Sequence, residues 1–178
     1  MHKRTEIRIA GLGGQGVVLA GQILGRAAVY DGKKVVQTQS YGAEARGSAA
    51  KSEVVISDEK VGFPIVRKCN VLVAMNQAAF DKNKKDVKEN GILIAEEDVV
   101  AKTDDVKARV FHVPATRTAE AELKSKMYAN VVMLGALTRI TAVVSNEALE
   151  KAIIDSVPNE VKQKNLNAFR LGSQLIKQ

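Results

Sequence analysis

Ile7-Arg8-Ile9-Ala10-Gly11-Leu12-Gly13-Gly14-Gln15-Gly16-Val17-Val18 is the stretch that decides the fold of this chain. Ile7 to Ala10 reads as a strand that ends at Gly11, and a helical pattern begins at Gln15 and runs to about Tyr30. Val17, Val18, Leu24 and Ala28 recur on one side of that helix, while Gly21 and Gly25 allow a neighbour to come close. Between strand and helix, Gly11 to Gly16 satisfies G-x-G-x-x-G. Turn amides and a helix dipole in this arrangement suit an anion such as phosphate, which makes Gly11, Gly13, Gly14, Gln15 and Gly16 candidate binding residues. The same geometry also serves as a tight βα turn with no ligand.

Outward from this unit the pattern alternates. Lys34 to Gln39 reads as a second strand, and Ala50 to Ser57 as a strand near a sheet edge, its early alternation in polarity suggesting an antiparallel neighbour. Val71-Leu72-Val73-Ala74-Met75 and Ile92-Leu93-Ile94-Ala95 are short apolar runs suited to central parallel strands, with a helix starting near Asn76 between them. Val110 to Pro114 gives a last strand, closed by its proline. Beyond it, Thr118–Lys126, Tyr128–Thr141, Asn146–Ser156 and Asn159–Lys177 carry helical spacing, with Ser145 as an N-cap. No linker or repeat divides the chain. The expectation is an α/β fold, a three-layer Rossmann-like sandwich with a mostly parallel (mixed) sheet and a helical C-terminal part, in one domain over residues 1–178. Sites in such sheets gather at the carboxyl ends of the strands.

Composition excludes several classes. With 178 residues, 46% hydrophobic and 26% charged, the chain is long and apolar enough for a core and is not a disordered segment. A lone cysteine, Cys69, leaves no set for a disulfide, a zinc site or an iron–sulfur cluster. The net charge of +7 is spread thinly, with one dense cluster from Asp81 to Lys88 that reads as a solvated helix face. Absence of tryptophan and only 4% aromatic residues argue against a stacking platform for bases, so no nucleic-acid partner is expected. No signal-peptide pattern and no run of about twenty apolar residues is present, and a cytoplasmic protein without a membrane partner is the expectation. His112, mid-strand, reads as a sheet histidine, His2 as part of a mobile terminus, and Cys69 as an inert thiol. Asn130 to Leu137 is apolar nearly all round, which suggests an interface that needs covering and a homodimer of the isolated chain.

Two further stretches bear on the site. A dinucleotide fold wants an acid at the end of the second strand for the ribose hydroxyls, but that strand ends Val36-Gln37-Thr38-Gln39, and Asp31 precedes it. A self-sufficient nucleotide-binding oxidoreductase is therefore only an alternative. Gln39-Ser40-Tyr41-Gly42-Ala43-Glu44-Ala45-Arg46-Gly47-Ser48 is the second candidate, expected at the same end of the sheet as the glycine turn. Arg46 suits a phosphate or carboxylate through a forked pair of hydrogen bonds, and Glu44 with Arg46 equally suits a loop brace or a subunit contact.

Together the two strings resemble the gamma subunit of the 2-oxoacid:ferredoxin oxidoreductases. The resemblance continues through Ser57-Asp58-Glu59, Pro64, Val71 to Ala74, Pro114-Ala115-Thr116, Asn130 to Ala136 and the closing Asn165 to Gly172. Gln37-Thr38-Gln39-Ser40-Tyr41-Gly42 is most similar to the 2-oxoglutarate branch, with the pyruvate and branched-chain enzymes close behind; Ser48 departs from a second glycine common after Arg-Gly. The resemblance implies a noncatalytic subunit of a complex that converts a 2-oxoacid and coenzyme A to acyl-CoA, carbon dioxide and reduced ferredoxin. It assigns thiamine diphosphate and the iron–sulfur clusters to other subunits, alpha and beta with delta a further candidate, so this chain alone binds no cofactor. It also implies a place beside the thiamine centre and a share in holding coenzyme A; the residues chemically suited to that are Gly11, Gly13, Gly14, Gln15 and Gly16 of the turn and Ser40, Tyr41, Gly42, Glu44, Arg46 and Gly47 of the loop.

Overall fold

Ile7, Ile9 and Ala10 are at most 2% exposed because β1 (Arg4–Leu12) runs through the middle of a six-stranded sheet. The computed structural model describes residues 4–42, 47–104 and 106–177. Beside β1 the sheet contains β2 (Lys34–Tyr41), β3 (Ala49–Ser57), β4 (Cys69–Ala74), β5 (Val87–Glu96) and β6 (Arg109–Val113), in the order β2-β3-β1-β4-β5-β6. Strands β1, β4, β5 and β6 are mutually parallel, with Ile7 beside Val71 and Val71 beside Ile92. β3 is antiparallel to both of its neighbours, with Ile7 opposite Val54 and Gln37 opposite Val54. It lies second from the edge, as its alternation suggested: Ser52 meets Gln37 on one face, 2.8 Å, and Glu53 meets Arg8 on the other, 2.7 Å.

The two faces are covered unequally. One carries α1 (Val17–Tyr30), α3 (Ala115–Leu123), α4 (Ala129–Thr141), α5 (Asn146–Ser156) and α6 (Lys162–Leu175), which share a core with Ile9, Val54 and Val73. The other carries α2 (Gln77–Asn83) and the loop around Val66, which share a smaller core with Val55, Leu72 and Leu93. Each wholly buried Ile or Leu in these cores contributes about 1.5–3 kcal/mol. Ser145 caps α5 as expected, its Oγ accepting from the Ala148 N–H at 3.1 Å. Asp31, at the end of α1, accepts from the Ser145 N–H and Oγ–H at 2.6 Å and so fixes where α5 starts.

Two expectations need correction. Residues 130–137 are apolar all round because α4 is packed between the sheet and α6 of the same chain, so this segment supplies no exposed interface. The cluster from Asp81 to Lys88 is not one helix face. It spans the end of α2, a 3-10 turn and the start of β5, with Asp86 bound to the buried Arg8 at 2.5 Å and Lys88 to Glu6 at 2.7 Å.

Candidate functional site

The turn between β1 and α1 is held by its own chain. The Leu12 N–H donates to Gln15 Oε1 at 2.7 Å, the Gly13 N–H to the Ser48 carbonyl at 2.8 Å, and the Gln15 N–H to the Leu12 carbonyl at 3.1 Å. Gln15 also reaches across the sheet, its Nε2 donating to the Met75 carbonyl at 3.1 Å and its Oε1 accepting from Asn76 Nδ2 at 2.9 Å. Gly11 makes room for this side chain: a Cβ there would lie 2.7 Å from Gln15 Oε1 and 3.0 Å from Met75 Cβ. Gly16, the N-cap residue of α1 at φ +70°, makes room for another amide. Asn130 at the start of α4 donates from Nδ2 to the Gly16 carbonyl at 3.1 Å. The amides of two candidate residues, Gly13 and Gln15, are thus already satisfied within the chain.

The open space lies beside this turn, on the α2 face. A cavity of about 220 Å³ sits over the carboxyl ends of β1 and β2, bounded by the start of β3 and by α2. Gly11 and Leu12 contribute one boundary, Ser40, Tyr41 and Gly42 a second, and Lys51 a third; Lys82 and Asn83 project from α2. Tyr41 is 61% exposed and stands at the mouth. Asn83 is fixed by Arg8, which donates to its Oδ1 at 3.2 Å and to the Val66 carbonyl at 2.8 Å. Burial works against the Arg8 charge, yet Asp86 and Glu53 outweigh it and raise the pKa, so the guanidinium stays charged beneath the cavity. Lys51 lies 3.4 Å from Glu53, and Lys82 is exposed. The site therefore combines two ammonium groups, a hydroxyl and an aromatic ring with small apolar walls, a lining suited to an anionic ligand with an apolar part.

A model of the pyruvate ferredoxin/flavodoxin oxidoreductase family matches residues 6–175. The chain belongs to that family. Within it, the chain is 54% identical to the 2-oxoglutarate synthase subunit KorC of Methanocaldococcus jannaschii, over 98% of this chain and 95% of that one. It superposes on the gamma subunit of the keto/oxoacid ferredoxin oxidoreductase of Geobacter sulfurreducens with a TM-score of 0.86, at 43% identity and 96% coverage of both chains. It also superposes, with a TM-score of 0.88 and 28% identity, on a 2-oxoglutarate:ferredoxin oxidoreductase of Magnetococcus marinus solved with 2-oxoglutarate, coenzyme A and succinyl-CoA bound. There it covers 97% of this chain and 31% of a longer one.

In this family member the sequence candidates divide into four groups. Gly11, Ser40, Tyr41 and Gly42 line the cavity. Gly13, Gln15 and Gly16 serve the turn and its braces, while Gly14 and Gly47 occupy left-handed positions at φ +93° and +66°. Glu44 and Arg46 lie outside the described residues. Lys51 and Lys82 at the cavity, Asn76 against Gln15 and Asn130 against Gly16 are contacts that were not foreseen. Asn76 and Asn130 stand where helices begin, and that position was the available signal. A dinucleotide crevice of the usual kind is not built here, because β3 lies between β2 and β1 and the two strands are not direct neighbours. Cys69 is buried and its thiol is pushed up to about 11 by burial, as an inert cysteine should be. Glu96 is also buried, at the end of β5, where its Oε2 accepts from the Thr116 N–H at 2.8 Å and Oγ–H at 2.7 Å. Among the described residues no group of three or more His, Cys, Asp or Glu could hold a metal ion, and no helix is long and apolar enough to cross a membrane.

Proposed function

We propose that this chain is the gamma subunit of a heteromeric 2-oxoglutarate:ferredoxin oxidoreductase, and that residues 1–178 form one gamma-type domain. The observation that carries this reading is the identity with a 2-oxoglutarate synthase subunit over nearly the whole length of both chains. The enzyme oxidatively decarboxylates the 2-oxoacid with coenzyme A and passes the electrons to ferredoxin. The partners are the alpha and beta subunits, with delta as a further candidate, and the compartment is the cytoplasm.

The donor set of this chain bears on which groups it holds. One cysteine cannot bind an iron–sulfur cluster, so the clusters belong to other subunits. The thiamine diphosphate centre is likewise placed on the alpha and beta subunits, with this chain packed beside it. Coenzyme A fits better here. It carries phosphates and an adenine on a flexible, partly apolar arm. Lys51 and Lys82 would attract the phosphates, and exposed Tyr41 offers a face for a base. We place the coenzyme A contact along the cavity edge formed by Gly11, Ser40, Tyr41 and Gly42, with Glu44, Arg46 and Gly47 as further candidate contacts from the sequence. Bound there, coenzyme A supplies the thiol that accepts the acyl group; this chain's part is to hold and orient it.

A tagged chain co-expressed with the alpha and beta subunits of the enzyme tests the assignment. Co-elution in fixed stoichiometry is expected, while the chain alone shows no 2-oxoacid oxidation and no saturable micromolar binding of NAD or NADP. Turnover or tight nucleotide binding by the chain alone would return it to the dehydrogenase reading.

A further inference from the structure

The strands β1 and β4 lead their chains to opposite faces of the sheet, so the gap between their carboxyl ends is the topological switch point where ligands of open α/β sheets usually sit. Here two side-chain amides meet in it. Gln15 Oε1 accepts from the Leu12 N–H at 2.7 Å and from Asn76 Nδ2 at 2.9 Å, using both lone pairs, and its Nε2 donates to the Met75 carbonyl at 3.1 Å. Asn76 Oδ1 accepts from the Ala79 N–H at 2.9 Å and caps α2. Each amide thus has its donor and its acceptor committed, one toward the glycine turn and one toward α2.

The α2 helix has seven residues, well below the length at which a helix holds itself in water. Its position depends on its anchors. Asn76 holds the first turn, and Asn83 holds the last through its Oδ1 contact with Arg8 at 3.2 Å. Ala78, Ala79 and Lys82, which form the cavity wall, lie between those anchors. Glutamate at position 15 would turn an oxygen toward the Met75 carbonyl, and a shorter side chain would not span the gap; only an amide of this length supplies both polarities.

We propose that Gln15 and Asn76 form an amide clamp that ties the glycine turn to α2, and that both are positioning residues for the ligand of the adjoining cavity. The second part rests on the reading that coenzyme A meets this edge. Gln15→Met keeps the length and removes both polar atoms. Asn76→Ser keeps a capping oxygen for α2 and removes the donor to Gln15, so it separates the clamp from the cap.

Hydrogen exchange on the full isolated chain tests the clamp without any partner. In both variants the amides of Leu12 and of residues 77–83 should exchange about three- to tenfold faster, with β5 and β6 unchanged. Acceleration by Gln15→Met at Leu12 alone, with none in α2 for either variant, would overturn the clamp. In the enzyme reconstituted with its partner subunits, both variants should raise KM for coenzyme A about threefold or more and leave kcat unchanged. Faster α2 exchange with an unaltered KM for coenzyme A upholds the clamp and overturns the positioning role together with the placement of coenzyme A.

Discussion

Gly16 stands at φ +70° with the Asn130 amide against it, its Cγ 2.9 Å from where a Cβ would be. A side chain there meets two penalties, the left-handed backbone at about 1–2 kcal/mol and overpacking at about 1–3 kcal/mol. Gly14, at φ +93° with nothing within 4 Å, meets only the first. Urea denaturation should therefore find Gly16→Ala less stable than Gly14→Ala by about 1–3 kcal/mol; equal losses would mean that Asn130 gives way. The G-x-G-x-x-G string was legible as a βα turn. Its glycines were not legible as seats for Gln15 and Asn130, because Asn130 is over a hundred residues away and only the fold brings it there. Glu96 gives a pH test. Burial raises its pKa above the ordinary 4.5, partly offset by the bonds from Thr116. The folded state therefore binds the proton more tightly than the unfolded state. The stability this contributes is complete below 4.5 and is lost as pH rises through the folded pKa. Glu96→Gln, which keeps an acceptor for Thr116, should gain on the natural protein over that rise and then keep a constant difference from it. A stability difference independent of pH would show that Glu96 titrates normally.

At the scale of elements, α4 and α6 are the most intimate pair. A Cβ at Gly135 would collide with the Phe169 carbonyl oxygen, and one at Gly172 with the Val132 carbonyl oxygen. Both obstacles are backbone, so neither can swing aside. Gly135→Ala and Gly172→Ala should each cost about 2–3 kcal/mol, and the double variant less than their sum, because the first substitution already parts the helices. Thermal or urea unfolding checks both figures, and additive losses would indicate two independent contacts. This pairing explains what periodicity alone misread. An apolar circumference on residues 130–137 signals burial on all sides, and the sequence of α4 does not say whether the cover comes from another copy or from its own C-terminal helix. The order of elements was legible from apolar runs and caps, and Asn146–Ser156 has the bounds its spacing predicted. Entry into α3 was not, since Ala115 follows Pro114 directly and the helix starts three residues before the expected Thr118.

For the whole molecule, the lopsided sheet matters most. Five helices crowd one face, while the other has the short α2 and a loop, knit by Arg8 to Glu53, Asp86 and Val66. The cavity opens on this thinner face, at the end of the sheet where β2, β1 and α2 converge. Both glycine strings were expected at one end of the sheet, and Gly11 of the first and Ser40 to Gly42 of the second meet at the cavity there. The sequence did not indicate the face, because that depends on β3 turning back between β2 and β1, a pairing no local pattern specifies. On the proposed function, such a chain holds one ligand edge within a larger enzyme. The most direct measurement is an omit-one reconstitution, in which ferredoxin reduction is followed with the partner subunits present and this chain added or left out. The account predicts that 2-oxoglutarate- and coenzyme A-dependent reduction appears only when the chain is present, and that pyruvate is a poor substitute. Full activity without the chain, or equal activity with pyruvate, would contradict it.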